Sequence, residues 1–197
     1  MGPEGIRAER GCNQVRFTAK LAALVVLSLL IALVLSSAVY GATKSDTDSV
    51  NVNATVDNFI SISHPADLNL GVINGTGGSV VGSATWTVVT NNDLGYTLQA
   101  SASGAPAMTK GTDSFADYSQ TPAPWAVAAT DSAFGFSWDA GVNYRGFNGA
   151  APITVHTMNN ETAGDNTTLN FKAEVGANHL QASGSYTASV TITATTL

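Results

Sequence analysis

The side chains that could do chemistry are few, and they are scattered. His64, His156 and His179 are the three histidines, with no HExxH and no pair at metal-ligand spacing on one strand. His64 precedes Pro65 at a turn and His179 falls in a loop, where both read as solvated polar residues. No G-x-S-x-G elbow and no glycine-rich phosphate loop occur, so no residue is assigned a catalytic role. Asp113, Asp117, Asp131 and Asp139 offer the hard oxygen ligands that calcium takes, as do Asp46 and Asp48. No D-x-[DN]-x-[DN]-G loop fixes their spacing, and the competing reading is an acidic surface that keeps the chain soluble. The pairs Asp113/Asp117 and Asp131/Asp139 also hold the groups of a glycosidase. That chemistry needs two carboxylates held rigidly across a cleft, and both pairs border a Pro-rich stretch. Calcium is the one cofactor the residues suggest.

Trp125, Tyr118 and Tyr144 stand among loop residues, a candidate platform for stacking on sugar rings. That would make cell-surface polysaccharide a partner. Core packing or loop anchoring competes with this role, and it is the preferred reading for Trp138 and Trp86. Four N-x-[ST] triplets, at Asn53, Asn74, Asn160 and Asn166, are candidate glycosylation sites.

Charge and hydropathy say where these residues work. Of eight basic residues, four (Arg7, Arg10, Arg16 and Lys20) lie in the first twenty positions. Residues 21–35 are apolar except for Ser28, and Ser36, Ser37, Ala38 and Gly41 are small. This is the pattern of a secretory signal peptide over 1–41, cleaved after Ala38 or Gly41. An uncleaved anchor is the alternative, since about 20 apolar residues span a bilayer; only then would the protein hold to a membrane, through this leader. Either reading places residues 43–197 in a secreted, extracellular location at the cell surface. Beyond Gly41 the chain keeps four basic and twelve acidic residues, a net charge of −8. Such a domain repels phosphate backbones, which excludes nucleic acid as a partner. The single cysteine, Cys12, lies in the leader, so the exported part has no disulfide.

From Thr43 onward the apolar period is 2, not 3.6. Alternation runs through 50–56, 68–72, 84–90, 96–103, 171–175 and 186–194, with Phe134-Gly-Phe-Ser-Trp138 as a further short strand. One apolar and one polar face per strand belong to an antiparallel sheet, packed inside and solvated outside. The expected fold is therefore all-β, an antiparallel β-sandwich (immunoglobulin-like or jelly-roll) of about eight strands after an N-terminal signal helix. Asn91-Asn92-Asp93-Leu94-Gly95 reads as a hairpin joining 84–90 to 96–103. The Pro-rich stretch 104–133 reads as a long loop, and 140–150 and 156–167 as further loops.

Three passages resemble secreted bacterial and archaeal surface sandwiches. They are Ala84-Thr-Trp-Thr-Val-Val-Thr-Asn-Asn-Asp-Leu-Gly-Tyr-Thr-Leu98, Phe134–Trp138 with Tyr144-Arg-Gly-Phe147, and Ser183-Gly-Ser-Tyr-Thr-Ala-Ser-Val-Thr-Ile-Thr193. The last also resembles the closing strand of WxL-type cell-wall-binding domains, spore-coat-U-like proteins and pilin-like fibre subunits. Trp86-Thr87-Val88 has Val where the WxL pattern has Leu. The resemblance implies an extracellular β-sandwich used in surface structures.

The chain divides into the leader, a tether and candidate donor strand at 42–57, and a sandwich domain at 58–197. Lys44-Ser-Asp-Thr-Asp-Ser49 is polar, and Val50, Val52, Ala54 and Val56 then form an apolar stripe. Such a strand on such a tether suits β-strand addition to an identical subunit; it also suits the first strand of its own sandwich, since both use the same alternation. The favoured function is a non-enzymatic structural subunit of an extracellular filament or surface layer. The alternative is a secreted carbohydrate- or cell-wall-binding module, with a secreted hydrolase ranked last.

Overall fold

The computed structural model describes residues 44–63 and 65–197. The leader, with Cys12, and His64 lie outside the described residues. Thr55–Leu197 is one compact unit, and the chain up to Ala54 is assigned to another. The described residues are all-β, with ten strands in two sheets.

The strands in chain order are β1 (Ile60–Ile62), β2 (Gly78–Thr90), β3 (Tyr96–Ala102), β4 (Met108–Lys110) and β5 (Asp113–Asp117), then β6 (Ser132–Ser137), β7 (Ile153–Met158), β8 (Thr162–Val175), β9 (Thr187–Ala188) and β10 (Val190–Thr196). One sheet has seven strands in the order β1-β2-β8-β6-β5-β4-β9, and the other has three, β10-β3-β7. The long antiparallel pair β2 and β8 is the backbone of the larger sheet, in register from Gly78–Val175 to Val88–Asp165. Its inner face carries Val88, Leu169, Phe171, Ala173 and Val175, all buried. Tyr96, Leu98 and Ala100 on β3 face them from the smaller sheet and are fully buried. Phe134, Phe136 and Phe147 stack between the layers, the last two with ring centroids 4.2 Å apart.

Several expectations are corrected here. The turn at 91–95 is not a hairpin: β2 pairs with β1 and β8, β3 with β10 and β7, so the chain crosses from one sheet to the other. Alternation in two consecutive strands is the same whether they pair side by side or face one another. The crossing is made by Gly95, at φ +83°, and by buried Asn92, whose amide donates to the carbonyls of Gly95 and Leu197. The closing strand 186–194 is divided at Ser189, β9 pairing in the larger sheet and β10 in the smaller. The stretch 104–133 contains the β4–β5 pair, too short to show a period, and 156–167 holds the end of β7 and the start of β8. Residues 50–56 and 68–72 are in no strand. The sheets are not wholly antiparallel, since β5 runs parallel to β6.

A β-carbon at Gly95 would stand 1.9 Å from the Met158 carbonyl oxygen, on backbone that L-residues rarely adopt. Gly95→Ala is expected to cost about 2–4 kcal/mol, measured by urea unfolding of the exported chain. A cost below about 1 kcal/mol would contradict the crossing described.

Candidate functional site

A cleft of about 1250 Å³ opens between the two sheets. Its floor is apolar: Val80, Trp86, Phe134, Phe171 and Val175 of the larger sheet, with Met108 and Phe115. Val190 and Ile192 of β10 line it, and so does the strandless segment 65–73. That segment lies against the inner face of β2, where a methyl on Gly82 would meet Leu70 Cδ2 at 2.8 Å and Leu68 Cδ1 at 3.0 Å. Leu70 and Ile73 pack on the core, whereas Val72 is 95% exposed. Gly71, at φ +99°, breaks the alternation that would have put Val72 on the same side as Leu68 and Leu70.

Both lining segments leave backbone groups without partners. β10 pairs only with β3, and no backbone–backbone hydrogen bond joins 65–73 to another segment among the described residues. A seven-residue strand inside a sandwich takes up about 23 Å of length, 4.8 Å of sheet width and 10 Å of depth, roughly 1100 Å³. The cleft is the size of one strand. Its wall has a free edge and its floor is apolar, the two features that bind an extended peptide with alternating apolar side chains.

The candidate donor residues match that requirement in pattern. Val50, Val52 and Val56 are 84%, 87% and 82% exposed, and Ala54 is exposed as well. Three valines and an alanine at every second position form an exposed apolar stripe.

The aromatic candidates are brought together and used inward. The ring of Trp125 stacks on Tyr118 at 4.4 Å and meets Tyr144 edge-on at 5.1 Å. Trp125 Nε1 donates to Glu174 at 2.7 Å, and Lys172 Nζ lies 5.0 Å from its ring. The Tyr118 hydroxyl donates to the Pro124 carbonyl, and Tyr144 is buried, which lifts its hydroxyl pKa. The trio packs beside Gly135, where a β-carbon would be 2.9 Å from Tyr118 Cβ, and so anchors the 118–131 loop to the outer face of β6. Trp138 tilts against Phe136, and Trp86 packs on the core while lining the cleft.

The four aspartates are not gathered. Asp113 pairs with Lys110 at 2.9 Å, and Asp117 accepts the Ala107 amide at 3.0 Å while burial raises its pKa. Asp131 accepts from the Thr130 hydroxyl at 3.3 Å. Asp139 accepts from the Ser137 hydroxyl, the Val142 and Asn143 amides and the Asn143 side chain. Among the described residues no three His, Cys, Asp or Glu side chains converge as metal ligands. His179 bonds the Thr130 carbonyl and Gln181. Asn53, Asn74, Asn160 and Asn166 are all exposed, with Asn166 Oδ1 taking the Thr87 hydroxyl hydrogen at 2.6 Å.

One polar cluster was not legible in the sequence. Asp165 Oδ2 accepts the Tyr96 hydroxyl at 2.8 Å and bonds His156 Nε2 at 2.6 Å, tying the two sheets together. The register shift between Leu98–His156 and Gln99–Thr154 makes Val155 a bulge residue. That extra residue turns His156 to the inner side, where strict alternation would have put it outside. Burial and then the Asp165 carboxylate push the Tyr96 hydroxyl well above the usual phenol range. No protein-family model and no curated protein matches the chain.

Asp165→Ala is expected to lower stability by about 2–3 kcal/mol, because Tyr96 is left with a buried unpaired hydroxyl; urea unfolding measures it, with Asp165→Asn losing less. The Asp139 carboxyl, held down to about 2 by Ser137 and Asn143, is a separate test. Its contribution is fully present above the ordinary value of 3.8 and is lost as pH falls through about 2. NMR titration should give that low midpoint, with the 139–143 turn loosening over the same range.

Proposed function

We propose that the protein is a non-enzymatic structural subunit of an extracellular filament or surface layer, in which residues 50–56 of one copy add as a strand to the cleft of the next. The observation that carries this reading is the strand-sized cleft, with an apolar floor, beside the unpaired edge of β10. The exposed stripe of Val50, Val52, Ala54 and Val56 supplies the matching alternation. Each subunit then gives a strand at one place and receives one at another. Such a head-to-tail contact does not close on itself, so repetition makes a filament.

Magnitudes say what must contribute. Three valines moved from water into the cleft supply on the order of 5 kcal/mol. Ordering seven residues costs roughly 1–2 kcal/mol each. The inserted side chains alone are insufficient; covering the floor around Trp86 and Phe171, and new backbone bonds at about 1 kcal/mol each, must make up the difference. Truncating the stripe should therefore abolish assembly, not merely weaken it. The leader and the acidic, cysteine-free exported part suit this location outside the cell.

Negative-stain microscopy of residues 42–197 beside a version beginning at Asp57 tests the reading. Filaments are expected from the longer form alone. Monomers from both, at concentrations up to the millimolar range, would overturn it.

A further inference from the structure

Two exposed apolar pairs stand at opposite ends of the sandwich. β2, 13 residues long, runs between those ends, which are about 40 Å apart. At its Thr90 end are Phe59 and Leu94, both exposed. Their backbone is fixed. The Phe59 amide donates to Asn91 Oδ1 at 2.6 Å, and its carbonyl accepts the Asn91 amide and the Thr90 hydroxyl. The turn that carries Leu94 is closed by the Gly95 amide donating to the Asn92 carbonyl at 2.9 Å. At the Gly78 end are Val72, on the cleft wall, and Leu180, also exposed. Ile73 Cγ2 would be 3.9 Å from a β-carbon on Gly78, and the Gln181 amide donates to the Gly75 carbonyl, so both residues border that end. Side chains held out on fixed backbone lose little further freedom when they are covered.

We infer that these two ends meet in the assembly: Phe59 and Leu94 of one copy pack against Val72 and Leu180 of the next, as a second contact beside the donated strand. This rests on the reading of the cleft as a strand acceptor. Covalent reach brings the surfaces together. Val56 ends the stripe three residues before Phe59, so at most about 11 Å of chain separates a donated strand from the donor's Thr90 end. The accepting cleft decides which rim that end meets. Near Thr90 the Cα atoms of β1 and β10 approach within 8 Å. A strand between two others needs about 9.6 Å, twice the strand spacing. The donated strand therefore leaves toward the Gly78 end, whose rim carries Val72 and Leu180. β10 runs the other way: Thr196 pairs with Tyr96, which bonds Asp165 opposite Val88. The donated strand is then antiparallel to β10, the slightly more stable pairing. Departure at the Thr90 end would instead set like ends face to face, a self-complementary contact that closes as a dimer. Four side chains make too small a patch to join copies by themselves, so the contact forms only where a strand has been donated.

Leu94 and Leu180 test this, since they belong to neither the stripe nor the cleft lining. In the 42–197 chain, Leu94→Asp and Leu180→Asp are each expected to lower filament yield at least fivefold, by sedimentation and negative stain. Leu94→Lys combined with Leu180→Asp sets opposite charges across the contact and is expected to recover at least half of the unsubstituted yield. A synthetic peptide of residues 44–56 is then added to versions beginning at Asp57, which keep nearly all of the compact Thr55–Leu197 unit. Its affinity is expected to stay within about twofold in every variant, because the cleft is untouched. Unchanged filament yield from either single variant overturns the inference, and so does failure of the Lys/Asp combination to recover. A parallel fall in peptide affinity overturns it too, by placing the effect in a damaged cleft, as do closed dimers in place of filaments. If the unsubstituted chain neither assembles nor binds the peptide, the strand-acceptor reading itself has failed, and this inference with it.

Discussion

A sheet of seven strands presents more apolar face than a sheet of three can cover, and most of this structure answers that mismatch. Uncovered apolar surface costs roughly 25 cal/mol for each Å² left in water. Beside β6 the remedy is the loop after it, which pairs Phe136 with Arg145 by two backbone bonds and sends Phe147 into the core. Beside β2 the cover is partial. Segment 65–73 lays Leu70 and Ile73 on the inner face without becoming a strand, and the cleft lies between it and β10. The functional proposal follows from this asymmetry, because the flank that the chain does not finish is the one bounded by an unpaired strand edge.

The same constraint explains a carboxylate on a core-facing position. Asp165 stands opposite Val88 on the inner side of β8, where an unpaired charge would be costly. Tyr96 and His156, from the facing sheet, both turn their polar hydrogens to it. Near the crossing, polar groups do the joining that phenylalanines do elsewhere between the layers. Part of the His156–Asp165 pair is exposed, so the bond to buried Tyr96 carries more of the effect.

Alternation made the strands around Trp86, Leu98, Phe171 and Ile192 legible, since each buries every second residue against the other layer. It could not tell which strands share a sheet. The segment 84–103 looks the same as a hairpin and as a crossing, and only the pairing of β2 with β8 and of β3 with β10 decides. Bulges defeat the pattern in another way. One extra residue at Val155 reverses the sense of His156, so the inter-sheet cluster carries no sequence signal. The aromatics were found as residues but not as an arrangement, because stacking on Gly135 depends on where the 118–131 loop returns to the sheet.

The stripe of Val50, Val52, Ala54 and Val56, the candidate donor residues, is the opposite case, legible in sequence as alternation alone. Its alternation would be wasted on a flexible tether, since exposed valines gain nothing in water and invite nonspecific association. The segment bordering the cleft shows the complementary restraint. Pro65 cannot donate a backbone hydrogen bond, and Asp67 and Asn69 place polar side chains along a stretch whose backbone is otherwise open. In the proposed assembly a strand beside β10 is therefore bordered by a stretch poorly suited to recruit another. Growth then proceeds through the donated strand alone, along one axis, and not by open-ended widening of the sheet.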